Sequence, residues 1–298
     1  MMKKQDELAD IKKNQISPKR KATNIVVHVI LGLLALIWVF PIFWVIMTSF
    51  RAGKGSYSTT FFPEEWTISN YTRLFTETDI FNFPKWFGNT FYVAIFSCIL
   101  ATFYLVSIAF VMSRCRFNAR KPFLNIALIL GMFPGFMSMI AVYYIIKGMG
   151  LTEGPLKLVA LILLYSGGSG ILQFYVAKGF FDTIPRAVDE AAYIDGATKW
   201  QVFTKITLPL SKPIVVYTIL TSFMAPWIDF IMAKVIIGAD AKYYTVSIGL
   251  WNMLTKENIY QWYTRFASGA VLVSIPIAIL FMFMQRYYTE GVSGAVKG

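Results

Sequence analysis

Few residues in this chain could do chemistry. The single histidine, His28, and the two cysteines, Cys98 and Cys115, stand alone, so neither a zinc site nor a disulfide framework has the ligand spacing it needs. No H-E-x-x-H pair and no G-x-x-x-x-G-K-[ST] loop occurs, which removes the usual intramembrane metallohydrolase arrangement and a Walker-type nucleotide site. Two features remain. One is Asp229, the only acid set well inside an apolar stretch, two residues after Trp227. A carboxylate left in lipid costs about 3 kcal/mol or more, so it reads as functional by default. An aromatic face beside an acid also suits sugar recognition, because a pyranose offers an apolar C–H face and a rim of hydroxyls; a satisfied structural Asp is the alternative. The other feature is a run of charged, small and helix-breaking residues from Asp182 to Lys212.

These groups are held by a chain of 298 residues that is 56% hydrophobic and 15% charged, with a mean hydropathy of +0.56. Soluble domains carry about 25% charged residues, so a soluble globular reading is close to excluded. A bilayer core of about 30 Å needs about 20 apolar helical residues, because lipid offers backbone N–H and C=O groups no partner. Six stretches qualify: Ile25 to Phe50, Phe87 to Met112, Phe123 to Ile146, Leu158 to Phe181, Ile214 to Ile237 and Phe266 to Met284. They predict an all-α integral membrane protein with six transmembrane helices over residues 25–284, flanked by tails at 1–24 and 285–298. The first stretch is longer than a signal-peptide core and no small-residue cleavage site follows it, so it reads as a retained helix. Pro134 with Gly131 and Gly135 should kink the third stretch, and Pro226 and Pro276 loosen the fifth and sixth. Ser166, Gly167, Gly168, Ser169 and Gly170 interrupt the fourth, where small side chains let backbones approach closely, while Pro226 and Asp229 interrupt the fifth.

The 28 basic and 16 acidic residues leave a charge of +12, interleaved with apolar runs rather than gathered in one patch. That pattern reports membrane orientation and gives no support to nucleic-acid binding. Lys3, Lys4, Lys12, Lys13, Lys19, Arg20 and Lys21 fill the first tail; Arg114, Arg116, Arg120 and Lys121 follow the second stretch; Lys178, Arg186, Lys199, Lys205 and Lys212 surround the run after the fourth. These share one side. Glu64, Glu65, Glu77 and Asp79 dilute the positive charge on the other. Both termini are therefore expected in the cytoplasm. Trp86, Trp251 and Trp262, near the stretch edges, are expected at the membrane interface.

The Asp182 to Lys212 run predicts a two-helix cytoplasmic loop. Pro185 suits a first helical turn, Ala187, Val188, Ala191, Ala192 and Ile194 make a small apolar face, and Gly196 permits the positive φ of a helix stop. Thr198 and Gln201 stand in capping-box spacing for a second helix, which Pro209 and Pro213 should end. An amphipathic hairpin lying on lipid is the alternative. Glu190-Ala191-Ala192, three residues, Gly196, nine residues, Ile206, one residue and Leu208-Pro209 reproduce the EAA loop of ATP-binding-cassette importer permeases without a departure. The string EAAYIDGATKWQVFTKITLPLSKP resembles that of carbohydrate importers, and the closing GVSGAVKG is similar to the end of the MalG-type maltose and maltodextrin permeases.

The resemblance implies a non-enzymatic subunit in a bacterial or archaeal cell membrane, carrying maltose or maltodextrins or another oligosaccharide. It implies a second, MalF-like permease, a cytoplasmic ATPase dimer that binds ATP and Mg, and an extracytoplasmic sugar-binding protein. Glu190, Ala191, Ala192, Asp195, Gly196, Ile206, Leu208 and Pro209 would couple to the ATPase, and Gly294, Lys297 and Gly298 of the tail would reach it. Trp227 and Asp229 would then face the translocation path. An ion-coupled secondary transporter is the competing class, yet it should have inverted repeats and several intramembrane ionisable groups, and Asp229 is alone.

Overall fold

A computed structural model describes residues 18–53, 55, 60–168, 170–255 and 257–295. Among these residues the structure is helical, and the one β pairing is an isolated bridge between Arg51 and Trp66. α1 is Pro18–Ser49 and α2 is Ser69–Thr76. α3 is Phe83–Arg114, α4 is Arg120–Gly131, α5 is Gly135–Gly148, α6 is Leu156–Gly168 and α7 is Gly170–Thr183. α8, Arg186–Ile194, and α9, Lys199–Leu210, form the polar run. Then come α10, Lys212–Ile228; α11, Ile231–Ile237; α12, Val246–Met253; and α13, Ile259–Ala295.

α3 is the centre of the molecule, packing against α6, α7 and α10, while α13 joins α10 to α1. Its buried stripe explains why. Ala94, Ser97, Ala101, Ala109 and Ser113 recur at helical spacing with Leu105 among them, and small side chains allow close interhelical approach where lipid supplies no hydrophobic drive. Phe96, Ile99, Phe103 and Ile108 project from the same helix and stay exposed, as lipid-facing groups should.

The three uninterrupted apolar helices are Ala22–Ser49, Phe83–Arg114 and Ile259–Gln285; the other expected spans are divided. The third, drawn from Phe123 to Ile146, is α4 and α5, parted at Met132 to Pro134, where Pro134 has ψ 132°. Proline has no N–H to continue the ladder and its ring clashes with the preceding turn. The fourth is α6 and α7, and Ser169 lies outside the described residues. The fifth, drawn from Ile214 to Ile237, parts at Asp229, which is extended at ψ 127°. Pro276, by contrast, sits inside an unbroken α13 that continues past Met284 to Ala295.

Two tryptophans expected at the interface are core residues. Trp86 is fully buried, edge-on to Phe81 with centroids 5.8 Å apart, and Trp262 is edge-on to the same ring at 4.7 Å. Trp86 fits because α12 presents Gly249 beneath it: a Cβ there would lie 1.9 Å from the indole. Trp251 is exposed.

Candidate coupling segment and mid-span cavity

Local backbone chemistry shapes the polar run. α8 begins after Pro185, which occupies the N-cap rather than the first turn. It ends in a Schellman motif: the Gly196 N–H donates to the Tyr193 carbonyl at 3.1 Å and the Ala197 N–H to the Ala192 carbonyl at 2.9 Å. Gly196 has φ +82°, and a Cβ there would meet no atom within 4 Å, so glycine is required by backbone sterics rather than by space. A capping box then starts α9, with Thr198 N–H to Gln201 Oε1 at 2.7 Å and Gln201 N–H to Thr198 Oγ1 at 3.2 Å.

α9 stops between Pro209 and Pro213, as the sequence predicts, but not as a plain α-helix. Val202–Thr207 winds as a π-helix, Pro209 lies in the α-turn after it, and only at Ser211 does the chain bend by 82° into α10. Pro209 falls in the last turn of α9, directly after the π-helix, and Pro213 lies in the first turn of α10, where its missing N–H costs least. Phe203 packs on Phe110 at 4.8 Å, and Leu208 leans on the same cluster, which includes Leu105, Ala177, Phe181 and Ile214. This small core joins α9 to α3, α7 and α10.

The two consecutive acids of α8 point to different places. Asp189 is buried and Glu190 exposed, as the turn of about 100° between neighbouring helical residues requires. Asp189 Oδ2 lies 3.3 Å from Arg114 Nε, with side-chain exposures of 9% and 4%. Arg114 Nη2 also donates to the Phe181 carbonyl at 2.7 Å and the Ile184 carbonyl at 2.9 Å. One guanidinium at the end of α3 thereby holds the end of α7 and the inner face of α8. Nearby, Ser113 Oγ donates to Asp182 Oδ1 at 2.6 Å and Lys178 pairs with the other oxygen. Burial pushes the Asp182 carboxyl up, but those hydrogen bonds and the charges of Lys178 and Arg120 outweigh it, leaving the group below its usual range.

Of the residues marked in the sequence, Glu190, Ala191, Asp195, Gly196 and Pro209 are exposed, Ile206 and Leu208 are half-buried and Ala192 is buried. The tip also exposes Tyr193, Trp200 and Ile194, the last at 87%, with Trp200 tilted against Phe203 at 5.6 Å. Gly294 falls in α13, whereas Lys297 and Gly298 lie outside the described residues. Arg114 is the residue the sequence missed, being counted there only as one positive charge in a cluster. Asp189, one residue ahead of the motif, was the available hint.

The second candidate site is a cavity of about 720 Å³ between α4, α5, α6, α7 and α10. Both proline- and aspartate-bearing breaks open onto it, through Met132 and Phe133 on one side and Asp229 on the other. Irregular backbone at membrane depth is tolerated where it lines such a space. Asp229 accepts from the amides of Met232 at 3.4 Å and Ala233 at 2.9 Å, capping α11, and from Tyr165 Oη at 2.7 Å; Ser247 Oγ donates to its carbonyl at 2.6 Å. Hydrogen bonds to a charged group contribute about 1.5–3 kcal/mol each, enough to offset the cost of placing the acid there. Asp229 is therefore a satisfied cap that also meets the cavity, with Ser138 and Tyr175 as further polar lining. Trp227 is not with it. Its indole is buried against Phe87 at 5.2 Å, Phe91 and Phe223, and Nε1 has no acceptor among the described residues. No group of three His, Cys, Asp or Glu side chains among those residues could hold a metal ion.

Comparison with known proteins identifies the family of the chain. Residues 106–294 match the family described as binding-protein-dependent transport system inner membrane component. The chain is 34% identical over 272 residues to the galactooligosaccharides transport system permease protein GanQ of Bacillus subtilis, covering 91% of this chain and 94% of that one. It is 32% identical over 283 residues to the maltodextrin transport system permease protein MdxG of the same organism, covering 95% and 99%. Among solved structures, a bacterial ABC transporter involved in import of the acidic polysaccharide alginate has a chain of the same fold, with a TM-score of 0.75, 23% identity, and 91% and 98% of the two chains covered.

Proposed function

This chain belongs to the family of binding-protein-dependent transport system inner membrane components, and from that premise we propose that it lines the path of an ATP-driven maltodextrin importer and couples it to an ATPase through α8 and α9. It is a multi-pass permease of the sugar-transport type. The finer reading has six crossings, counting each broken pair as one, with both termini in the cytoplasm. A second permease completes the path, two ATPase subunits bind ATP and Mg below it, and a sugar-binding protein delivers substrate from outside.

One observation carries the coupling role: the EAA-spaced residues fold into a capped two-helix knob whose outer face is Glu190, Tyr193, Ile194 and Trp200. A carboxylate beside exposed apolar groups fits a groove with a basic residue at its rim. ATP-driven closure of the ATPase subunits would displace the knob, and the packed spans would follow as rigid bodies from an inward-open to an outward-open state. Maltodextrin is favoured by the closing GVSGAVKG string and by the MdxG relative. The mid-span cavity, with Asp229, Tyr165, Tyr175 and Ser138 among apolar residues, has the mixed lining that sugars need.

Affinity purification of the tagged wild-type chain in mild detergent, with mass spectrometry of what stays bound, tests this reading. An ATPase and a second permease should be recovered with the wild type, and the ATPase lost with Gly196→Asp. A wild-type chain that emerges alone, under conditions that keep other such complexes intact, refutes it. Uptake of maltotriose compared with a galactotriose in vesicles holding the complex then decides the sugar.

A further inference from the structure

The knob can transmit force only if something fixes it to the spans. α9 enters α10 through a π-helix and an 82° bend, a junction that combines two features often found at hinges. Buried Thr207 Oγ1 and Ser211 Oγ at this junction have no hydrogen-bond partner among the described residues, and α9 is seated on α3, α7 and α10 through the apolar contacts of Phe203 and Leu208. α8 is attached differently. Its Asp189 is buried against Arg114 of α3, and the same guanidinium donates to two carbonyls at the end of α7.

We infer that Arg114 and Asp189 form a polar linkage through which α8 drives α3 and α7, beside the apolar seat of α9 on the same spans. Three elements meet at one planar guanidinium, which donates two hydrogen bonds to the α7-end carbonyls and pairs with Asp189 by charge at 3.3 Å, while Arg114 Nε and Asp189 Oδ1 make no hydrogen bond among the described residues. The pair is shielded from solvent, so its attraction is little screened by salt. Asp189 is a positioning residue: it faces inward, away from the partner surface on which Glu190 stands. The inference rests on the coupling role proposed above.

The test uses the intact complex in nanodiscs, with nitroxides at R186C on α8 and I108C on α3 after Cys98→Ser and Cys115→Ser. Pulsed electron–electron distances are recorded without nucleotide and after trapping with ATP and vanadate. In the wild-type background the distance should stay constant, because α8 and α3 move together. In D189N it should broaden or shift by more than about 2 Å, the scale of helix shifts at moving interfaces, and maltotriose uptake per ATP hydrolysed should fall roughly tenfold while ATPase stays bound. D189E should restore part of that ratio, which a purely structural contact would not require.

A wild-type distance that changes on trapping overturns the linkage, and so does a D189N complex with a constant distance. If D189N fails to assemble, R114M/D189L removes both buried charges together, a change that is often tolerated; a constant distance in that variant overturns the linkage, and a shifted one supports it. Absence of any co-purifying ATPase from the unlabelled wild type would refute the importer reading itself, and is scored separately by mass spectrometry.

Discussion

The knob and the mid-span cavity are both built around interruptions of helix, yet they are made in opposite ways. In the knob, every break is written next to itself: the Gly196 and Ala197 amides close α8 on carbonyls three and five residues back, and Thr198 and Gln201 satisfy each other. At the cavity, the break after α10 is completed from afar. Asp229 needs Tyr165 from α6 and Ser247 from the segment around α12. Local devices keep their shape wherever the segment moves, as a part that must travel against a partner requires. Remote devices hold only while the helices around them stay in register, which ties the geometry of the cavity to the packing of the spans.

That contrast predicts a ranking of substitutions. The largest loss should come from Arg114→Ala, which leaves Asp189 buried without its counter-charge and frees two helix-end carbonyls. We expect about 3–5 kcal/mol, seen as a lower thermal unfolding midpoint and a poor yield in detergent. Tyr165→Phe should cost about 1.5–3 kcal/mol by removing one charged hydrogen bond from Asp229. Uptake should fall with it while ATPase binding persists; unaltered uptake and stability would show that the break is sustained locally after all. Gly196→Asp should cost about 1–2 kcal/mol for an L-residue at φ +82°. Its cost is steric strain of the backbone alone, so Gly196→Asn, which tolerates the left-handed region better, should regain ATPase binding in the same pull-down. Thr198→Ala should cost about 1 kcal/mol, read as faster amide exchange at the start of α9 with no change elsewhere.

The smallest effect concerns Asp182. Its folded carboxyl lies below the usual range, so the stability it contributes is fully present above the ordinary carboxylate range and is lost only as pH falls through the lowered value. Thermal unfolding between neutral pH and pH 4 should therefore be no more acid-sensitive in the wild type than in Asp182→Asn. Only below that range should the two converge.

The same contrast explains what the sequence could convey. The helix stop at Gly196, the capping box and the break near Pro134 were legible because each depends on a residue type at a fixed local offset. The interruption of the fifth span at Pro226 and Asp229 was legible as well, but a lone acid in an apolar stretch does not reveal that Tyr165 waits on another helix. Trp86 looked like an interfacial ring because Gly249, which makes room for it, is more than a hundred residues away. The split roles of Asp189 and Glu190 were hidden for a similar reason, for only the position of Arg114 decides which acid turns inward. The end of α9 between Pro209 and Pro213 was legible too, whereas the π-helix that precedes it was not, since no residue type at a fixed offset marks it.

α1 has a further consequence, for the order in which the molecule is made. None of the apolar window in Ala22–Ser49 is buried within the chain, and the helix packs chiefly along α13, where Ser268 Oγ donates to the Ser49 carbonyl at 3.2 Å. Among the described helices, the one translated first thus has as its main neighbour the one translated after all the others. Until α13 is made, α1 must wait in lipid, and the packing of the two closes only across the whole span of chain between them.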